Sequence, residues 1–305
     1  MKEQISQREQ QSIKIGIAAN LVMAFSGWWT FYLSGSEALL LDGNMSFILF
    51  VSSIVALKIS KIKSVRSEVF PFGLYVTEAL YSMMKGLLLI GVIISAISGN
   101  GTKIFTYLQG GSIAPINTGP IVYYAIAMVC ICWGLSLLYH VQNKRIGNAS
   151  SMLKVDKKAS FIDGVLSAST GLILIVIGYV PAGSSWDFLL YIGDALLVVV
   201  LATLMIKQPI GIIKEAFIEL AGGKLQDQAQ HEKIETSVNQ HLQACGISAK
   251  SLNISKTGSS YLVIVGLALE ELADKPAGSV TDARHNMKQA LDKDFNFVDV
   301  EMVLV

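Results

Sequence analysis

The chain has 305 residues, of which 52% are hydrophobic and only 15% are charged. Soluble domains carry a charge on about a quarter of their residues, so this composition indicates a protein surrounded by membrane lipid. The formal net charge of +1 excludes a basic surface for nucleic acid, and the three cysteines have the spacing of neither a disulfide framework nor a zinc finger.

Six apolar stretches before residue 208 are long enough to cross a membrane as helices, since about 20 apolar residues span roughly 30 Å of hydrocarbon. The first is too long for a signal-peptide core and has no small-residue cleavage pattern, so we expect it to be retained. The predicted transmembrane helices are Ile13–Leu33, Ala38–Leu57, Gly73–Ile97, Pro120–Tyr139, Ala159–Val180 and Phe188–Ile206.

Basic residues in the loops predict the orientation of these helices, because Lys and Arg are enriched on the cytoplasmic side. They cluster in the N-terminal tail, between helices two and three, and between helices four and five, whereas Lys103 alone is basic on the opposite side. An even number of spans then places both termini in the cytoplasm. We expect the protein to lie in the plasma (inner) membrane.

The composition changes at residue 208 to that of a soluble domain, which predicts a transmembrane domain at 1–207 and a cytoplasmic domain at 208–305. Apolar periodicity in the second domain predicts helices near His231–Ala244 and Val280–Leu291. The runs SLNISK, SSYLVIVGLALE and FVDVEMVLV predict three strands, the first two joined by a hairpin turn at Thr257–Gly258. The order α-β-β-α-β indicates an α+β sandwich with two helices on one face of the sheet. The predicted fold class is therefore a membrane all-α six-helix bundle followed by this domain.

The chain contains no Walker A loop, no GxGxxG turn and no nucleophile elbow. These motifs serve ATP-driven transporters, dinucleotide-binding enzymes and membrane hydrolases. We therefore expect neither an enzyme nor a bound cofactor.

Ionisable side chains within the predicted spans are candidate functional residues, because a charge in hydrocarbon is unfavourable unless it has a partner. The deepest are Asp42 in span two, Lys85 in span three and Asp163 in span five, while Glu78 and Asp194 lie nearer the ends. Two carboxylates on different helices offer oxygen ligands for a divalent cation and would otherwise repel each other. The sequence thus predicts a cation site that includes Asp42 and Asp163.

Polar residues share a helix face with each of these ionisable groups. Ser46 lies one turn after Asp42, and Ser82 lies between Glu78 and Lys85. Hydroxyl groups at such positions either line the cation site or form hydrogen bonds between helices, and the sequence leaves both alternatives open. The fifth helix has a polar stripe at Asp156, Ser160, Asp163, Ser167 and Thr170.

Four segments carry recognisable motifs: SGSEALLLDGNMS at 34–46, FPFGLYVTEAL at 70–80, VDKKASFIDGVLS at 155–167, and 193–220, which contains Asp194 and KQPIGIIKEAFIEL. They are similar to the second span, the loop into the third span, the fifth span, and the sixth span with its exit into the cytoplasmic domain of the cation diffusion facilitator (cation efflux) family. The resemblance implies a secondary transporter that exports a divalent metal cation from the cytoplasm in exchange for protons. It also implies a homodimer formed through a ferredoxin-like (α-β-β-α-β) cytoplasmic domain.

The match to the family's transport site is incomplete. The family places two ligands four residues apart on span two and two more on span five, and Asp42 and Asp163 match the first and the last of these. Ser46 and Ala159 stand at the other two positions, so the candidate metal ligands are Asp42, Ser46, Ser160 and Asp163. Two carboxylates with hydroxyl groups suit a harder, oxygen-preferring ion better than zinc.

Lys85 departs from the family pattern. With a rise of about 1.5 Å per residue, it lies roughly 18 Å into a span that begins at Gly73, near the middle of the bilayer. We expect it to pair with Asp42 and Asp163, where its ammonium group would replace one unit of metal charge. Either Lys85 and Glu78 gate the site or couple it to protons, or the lysine permanently fills a defunct site. The second account predicts a non-transporting paralogue with a structural or regulatory role.

Overall fold

The computed structural model describes residues 2–63, 65–71, 73–145, 151–181, 183–272, 277–295 and 297–305. The side chain of Asp156, predicted as part of the polar stripe, lies outside the described residues. The elements in chain order are α1 (Lys2–Ser34), α2 (Glu37–Ile62), α3 (Val76–Leu108), α4 (Gly119–Arg145), α5 (Ser151–Gly178), α6 (Phe188–Met205), α7 (Lys207–Leu220), α8 (Gln228–Ala244), β1 (Ala249–Thr257), β2 (Ser260–Leu267), α9 (Leu269–Leu272), α10 (Ala277–Asp294) and β3 (Phe297–Leu304).

The chain forms two compact units. The first combines Met1–Val55 with Lys85–Ile210, and the second combines Ala56–Met84 with Gly211–Val305. The second unit therefore contains the predicted soluble domain and, in addition, the end of α2, the loop that follows it and the first turns of α3. The predicted division of the chain into domains at 1–207 and 208–305 stays a prediction.

Five stretches of the described residues are helical, long and apolar enough to cross a membrane, and they coincide with predicted spans two to six. Helix α1 covers the first predicted span without meeting the same standard, because its first part, KEQISQREQQSIK, is polar and its last turns contain Ser, Thr and Tyr. The crossing of the membrane by α1 stays a prediction. The five stretches are Glu37–Ile59, Val76–Leu108, Gly119–Arg145, Lys157–Gly178 and Phe188–Leu220.

The last predicted span ends at Ile206, and the structure shows a break between two helices at this residue. The Ile206 N–H donates to the Ala202 carbonyl at 3.1 Å, and α7 starts at the next residue. Pro209 lies in the first turn of α7. Backbone N–H groups in the first turn of a helix have no partner within the helix, so a proline, which has no N–H, is tolerated there. The apolar stretch nevertheless continues to Leu220, so it is longer than predicted.

The core of the first unit is built around one stripe of α4. Cys130 is exposed and Cys132 is buried, as expected for two positions about 200° apart on a helix, and they cannot bind one ion together. The stripe on α4 packs with residues of α1, α2, α5 and α6. The buried members of this cluster include Met23, Leu39, Ile121, Tyr124, Met128, Cys132, Leu174, Ile177 and Val198.

The second unit contains a three-stranded sheet in the order β1-β2-β3. Strands β1 and β2 form an antiparallel hairpin in which Thr257 pairs with Ser260, so the turn lies at Gly258–Ser259, one residue later than predicted. Gly258 has φ +59°, a conformation that favours glycine. Strand β3 is parallel to β2 and follows α10, the crossover that a parallel connection requires.

Two helices pack against one face of this sheet. Alternate residues of β2 are buried from Tyr261 to Leu267, and they form one core with apolar residues of α8 and α10. The predicted helices, strands and their order α-β-β-α-β are all present, with the short helix α9 as an addition. The buried helical members of this core are Ile234, Val238, Leu242, Ala283, Met287 and Leu291.

Candidate functional site

Two carboxylates from different helices form the centre of the candidate site in the first unit. Asp42 lies in the second turn of α2 and is half-buried, whereas Asp163 lies in the middle of α5 and is exposed. The two groups are close enough to interact electrostatically. Because two like charges repel each other in a poorly solvated place, a cation between them would lower the free energy of the pair.

The two predicted hydroxyl ligands lie beside these carboxylates on the same helices. Ser46 is one turn after Asp42 and is buried, and Ser160 is one turn before Asp163 and half-buried. Within the described parts of the chain, no three His, Cys, Asp or Glu side chains are close enough together to hold a metal ion. A cation bound in this conformation would complete its shell with hydroxyl or water oxygens, as hard divalent ions commonly do.

Tyr124 of α4 contacts the site directly, although the sequence did not identify it. Its Oη donates a hydrogen bond of 2.5 Å to Oδ2 of Asp42, and its side chain is buried. A buried phenol needs an acceptor, so a tyrosine on the apolar stripe of a membrane helix was a signal that some polar group faces it. The sequence could not show that this group is Asp42.

A glycine follows each of the two carboxylates, and both glycines are points of close helix contact. A Cβ on Gly27 of α1 would lie 2.7 Å from the Cα of Gly43, so α1 and α2 touch through their backbones beside Asp42. A Cβ on Gly164 would overlap the ring of Trp133 and lie 3.3 Å from the Cβ of Cys132. Small residues permit this close approach in membrane helices. Each carboxylate is therefore attached to a tightly packed helix pair.

The contact beside Asp163 belongs to a regular seam between α4 and α5. Gly164, Gly171 and Gly178 recur every seven residues, and an added Cβ on each would meet Cys132, Ala125 and Thr118 in turn. The partner positions run backwards along the chain in the same steps, which shows that the two helices are antiparallel. A seven-residue period is typical of helices that pack at a small crossing angle. The α4–α5 pair thus fixes Tyr124 and Asp163 on one packed element.

Asp194 of α6 anchors the start of α2. It is only 1% exposed, and its carboxylate accepts hydrogen bonds from Ser36 Oγ at 2.9 Å, from the Glu37 N–H at 2.5 Å and from the Ala38 N–H at 3.2 Å. The first N–H groups of a helix have no partner within the helix, so Asp194 caps α2 from a different helix. The sequence marked Asp194 as ionisable but gave no indication of these donors.

The two residues predicted to gate the site or couple it to protons have different surroundings. Lys85 is half-buried on α3, and its pairing with Asp42 and Asp163 stays a prediction. Glu78, in the first turn of α3, forms a salt bridge of 2.8 Å with Lys63. Its Oε2 accepts hydrogen bonds from Ser259 N at 2.6 Å and Ser259 Oγ at 2.7 Å.

The turn of the β1–β2 hairpin is therefore bound by carboxylates within the second unit. Besides Glu78, Glu219 at the end of α7 accepts a hydrogen bond from Gly258 N at 2.9 Å and pairs with Lys256 at 3.3 Å. A Cβ on Gly258 would lie 2.5 Å from Oε2 of Glu78, so the contact requires glycine. The sequence predicted the hairpin but could not predict what its turn would bind.

Comparison with known proteins identifies the family. A family model described as the cation efflux transmembrane domain matches residues 13–221, which is more than half of the 305 residues. A search of curated proteins finds no significant match to the chain. The match extends from within α1 to the end of α7 and includes both site carboxylates, and it agrees with a multi-pass arrangement of the five apolar helical stretches. The chain therefore belongs to the cation efflux (cation diffusion facilitator) family, an integral membrane family of metal cation transporters.

Proposed function

We propose that the protein is a secondary transporter that exports a divalent metal cation from the cytoplasm in exchange for protons. The observation that carries this proposal is the pair Asp42 and Asp163, two carboxylates on separate apolar helices that interact electrostatically. A metal ion and protons discharge the same carboxylate oxygens, so binding of one favours release of the other. The family supports transport of a metal cation, while the divalent charge, the direction and the exchange are part of the proposal.

The donors favour a hard ion. The candidate ligands Asp42, Ser46, Ser160 and Asp163 provide only oxygen atoms. Oxygen ligands suit Mg²⁺, Ca²⁺ and Mn²⁺, whereas a closed tetrahedral zinc site needs about four donors that are usually nitrogen or sulfur. We therefore expect a preference for Mn²⁺ over Zn²⁺ and Cd²⁺.

The proposal includes a topology for the whole protein. Helix α1 is its first span, so that six spans and the basic loops place both termini in the cytoplasm at the plasma or inner membrane. The domain at 208–305 is a ferredoxin-like module through which two copies form a homodimer. The α-β-β-α-β order of the elements supports the ferredoxin-like module. The basic residues in the loops between the membrane helices support the orientation.

A second candidate function rests on the missing ligands. Ser46 and Ala159 stand where the family has metal-binding side chains, and the described residues contain no cluster of three metal ligands. In this account the ammonium group of Lys85 would permanently neutralise the negative charge of Asp42 and Asp163. The protein would then be a non-transporting paralogue with a structural or regulatory role through its dimeric domain.

Transport in proteoliposomes tests the proposal. Purified protein is reconstituted with an imposed pH gradient, and flux of Mn²⁺, Zn²⁺, Cd²⁺, Co²⁺ and Mg²⁺ is measured for wild type, Asp42→Asn and a control, Asp187→Asn. Asp187 is an aspartate of the same unit outside the predicted spans. We expect gradient-driven flux for wild type and the control and background flux for Asp42→Asn. Wild-type protein that is folded but moves none of these ions would contradict the transporter.

Lys85→Met separates the two candidate functions. In the transporter, loss of a competing positive charge should tighten cation binding and slow turnover. In the non-transporting paralogue, the variant leaves two neighbouring acids without their counter-charge, so thermal stability should fall while neither protein responds to metal. Metal titration and thermal unfolding of both proteins in the same detergent distinguish these outcomes.

A further inference from the structure

Tyr124 connects α4 to the candidate site through a single strong contact. Its Oη donates a hydrogen bond of 2.5 Å to Oδ2 of Asp42. The tyrosine side chain is only 6% exposed.

The phenol is held in place by the packing of α4. Ile121 and Met128, one turn before and one turn after Tyr124, are 0% and 2% exposed. The neighbouring Ala125 meets Gly171 of α5, where even one added methyl group would overlap its Cβ. The part of α4 that carries Tyr124 is therefore tightly packed in the first unit.

The two carboxylates of the site differ in how they are held. Asp42 is half-buried, and its bond to Tyr124 uses Oδ2, which leaves Oδ1 outside that bond. Asp163 is exposed. One carboxylate is thus oriented before a cation arrives, and the other is free to adjust.

We propose that Tyr124 is a positioning residue of the cation site, which fixes the Asp42 carboxylate so that its second oxygen faces the cation. This inference rests on the proposed function. Groups that hydrogen-bond to a ligating carboxylate fix its orientation, and their loss typically reduces metal affinity about 10- to 100-fold. A carboxylate that is already oriented also loses less conformational entropy when it binds.

A purely structural role for the same bond leads to a different expectation. A buried phenol needs a hydrogen-bond acceptor, so Asp42 would then only satisfy the Tyr124 hydroxyl, and Tyr124 would not orient Asp42 for a cation. Removal of the hydroxyl would change stability and leave cation affinity unaltered. The cation affinity and the thermal stability of a variant without the hydroxyl therefore distinguish the two roles: a positioning role predicts weaker affinity, and a structural role predicts a change in stability alone.

Titration of the full-length protein in detergent with Mn²⁺ and, separately, with Zn²⁺ tests the proposal. The variants are Tyr124→Phe, Asp42→Asn and the double variant, with Tyr139→Phe as the control. Tyr139 lies on the same helix and is also 6% exposed, so its change removes the same buried hydroxyl away from the site. Thermal unfolding is measured for each protein, and proteoliposome flux gives the KM and the maximum rate.

We expect Tyr124→Phe to raise the dissociation constant and the KM about 10- to 100-fold, with a smaller change in maximum rate, and Tyr139→Phe to leave all three unchanged. In the Asp42→Asn background, Tyr124→Phe should have no further effect, because the carboxylate that it positions is gone. Wild-type affinity in Tyr124→Phe, with weakened binding in Asp42→Asn, would overturn the role of Tyr124 and leave the transporter intact. Absence of binding and flux in wild type would overturn the proposed function itself.

Discussion

Carboxylates occur in two contrasting surroundings within the first unit. Asp194, near the start of α6, is 1% exposed, and three hydrogen bonds from Ser36, Glu37 and Ala38 fill its acceptor positions. Asp163, in the middle of α5, is exposed. Both are aspartates in apolar helices, and hydropathy alone does not distinguish them. Burial in the folded chain does distinguish them: Asp194 is enclosed by three donors and anchors a helix, whereas the exposed oxygens of Asp163 are accessible to a ligand.

Asp42 is intermediate between these two cases. It accepts one hydrogen bond, from Tyr124, and is half-buried. A carboxylate with one fixed oxygen keeps its orientation and can still bind a cation. The comparison therefore assigns structural roles to carboxylates that are enclosed by donors and functional roles to accessible ones, and substitutions at Asp163, Asp194 and Glu78 test it.

Replacement of Asp163 should have the largest effect on function. Asp163→Asn removes one of the two charges that attract the cation, so flux should fall to background. Stability should change little, because Asp163 is exposed and substitutions of exposed residues usually change stability by less than about 0.5 kcal/mol. Proteoliposome flux and thermal unfolding measure the two effects, and a variant with wild-type flux would remove Asp163 from the site.

Replacement of Asp194 should have the largest effect on stability. Asp194→Asn replaces one carboxylate oxygen by an NH₂ group, which faces the Glu37 N–H at the Oδ2 position when the amide oxygen accepts from Ser36 and Ala38. Loss of the buried charge-assisted bonds should lower stability by about 2–4 kcal/mol. Thermal or chemical unfolding checks this, with Asp163→Asn as the matched exposed aspartate. Equal stability of the two variants would contradict the comparison.

A smaller loss of stability is expected in the seam between α4 and α5. In Gly171→Ala the new methyl group would overlap the Cβ of Ala125, and overpacking of this kind costs about 1–3 kcal/mol. Gly134→Ala is the control, because its added Cβ meets no atom within 4 Å. The second change Ala125→Gly should restore stability to Gly171→Ala. Failure of this rescue in unfolding measurements would show that the overlap is not the cause.

The smallest effect is expected for Glu78 in the second unit. This carboxylate is saturated by Lys63 and Ser259 and is 26% exposed, so Glu78→Gln should lower stability by only about 1 kcal/mol. The comparison predicts no change in the dissociation constant for Mn²⁺. A change in proton-coupled flux at unchanged stability would instead support the gating role predicted from the sequence.

Features that depend on local sequence were predictable. A carboxylate in an apolar run is visible from the sequence alone, which is how Asp42 and Asp163 were found. The hairpin and the helices of the second unit follow from periodicity over a few residues, and the turn was misplaced by one residue because Gly258 rather than Thr257 has the positive φ.

Features that depend on the register between distant helices were not predictable. The bond from Tyr124 to Asp42 joins residues 82 positions apart, and the donors of Asp194 lie more than 150 positions away. The glycines beside both site aspartates could be seen in the sequence, but their partners depend on which faces of two helices meet. A single sequence contains no information on that pairing.

The glycine seam between α4 and α5 has a consequence for biosynthesis. Helix α5 carries Asp163, and an aspartate at the centre of a membrane helix disfavours insertion by about 2.5–3.5 kcal/mol. Helix α4 is its neighbour in the chain, emerges first from the ribosome and offers a complementary surface at Cys132, Ala125 and Thr118. We expect the two helices to enter the bilayer as one hairpin, with α4 assisting the insertion of its less apolar partner. A bulky residue in the seam would then reduce the yield of inserted protein before it affected transport.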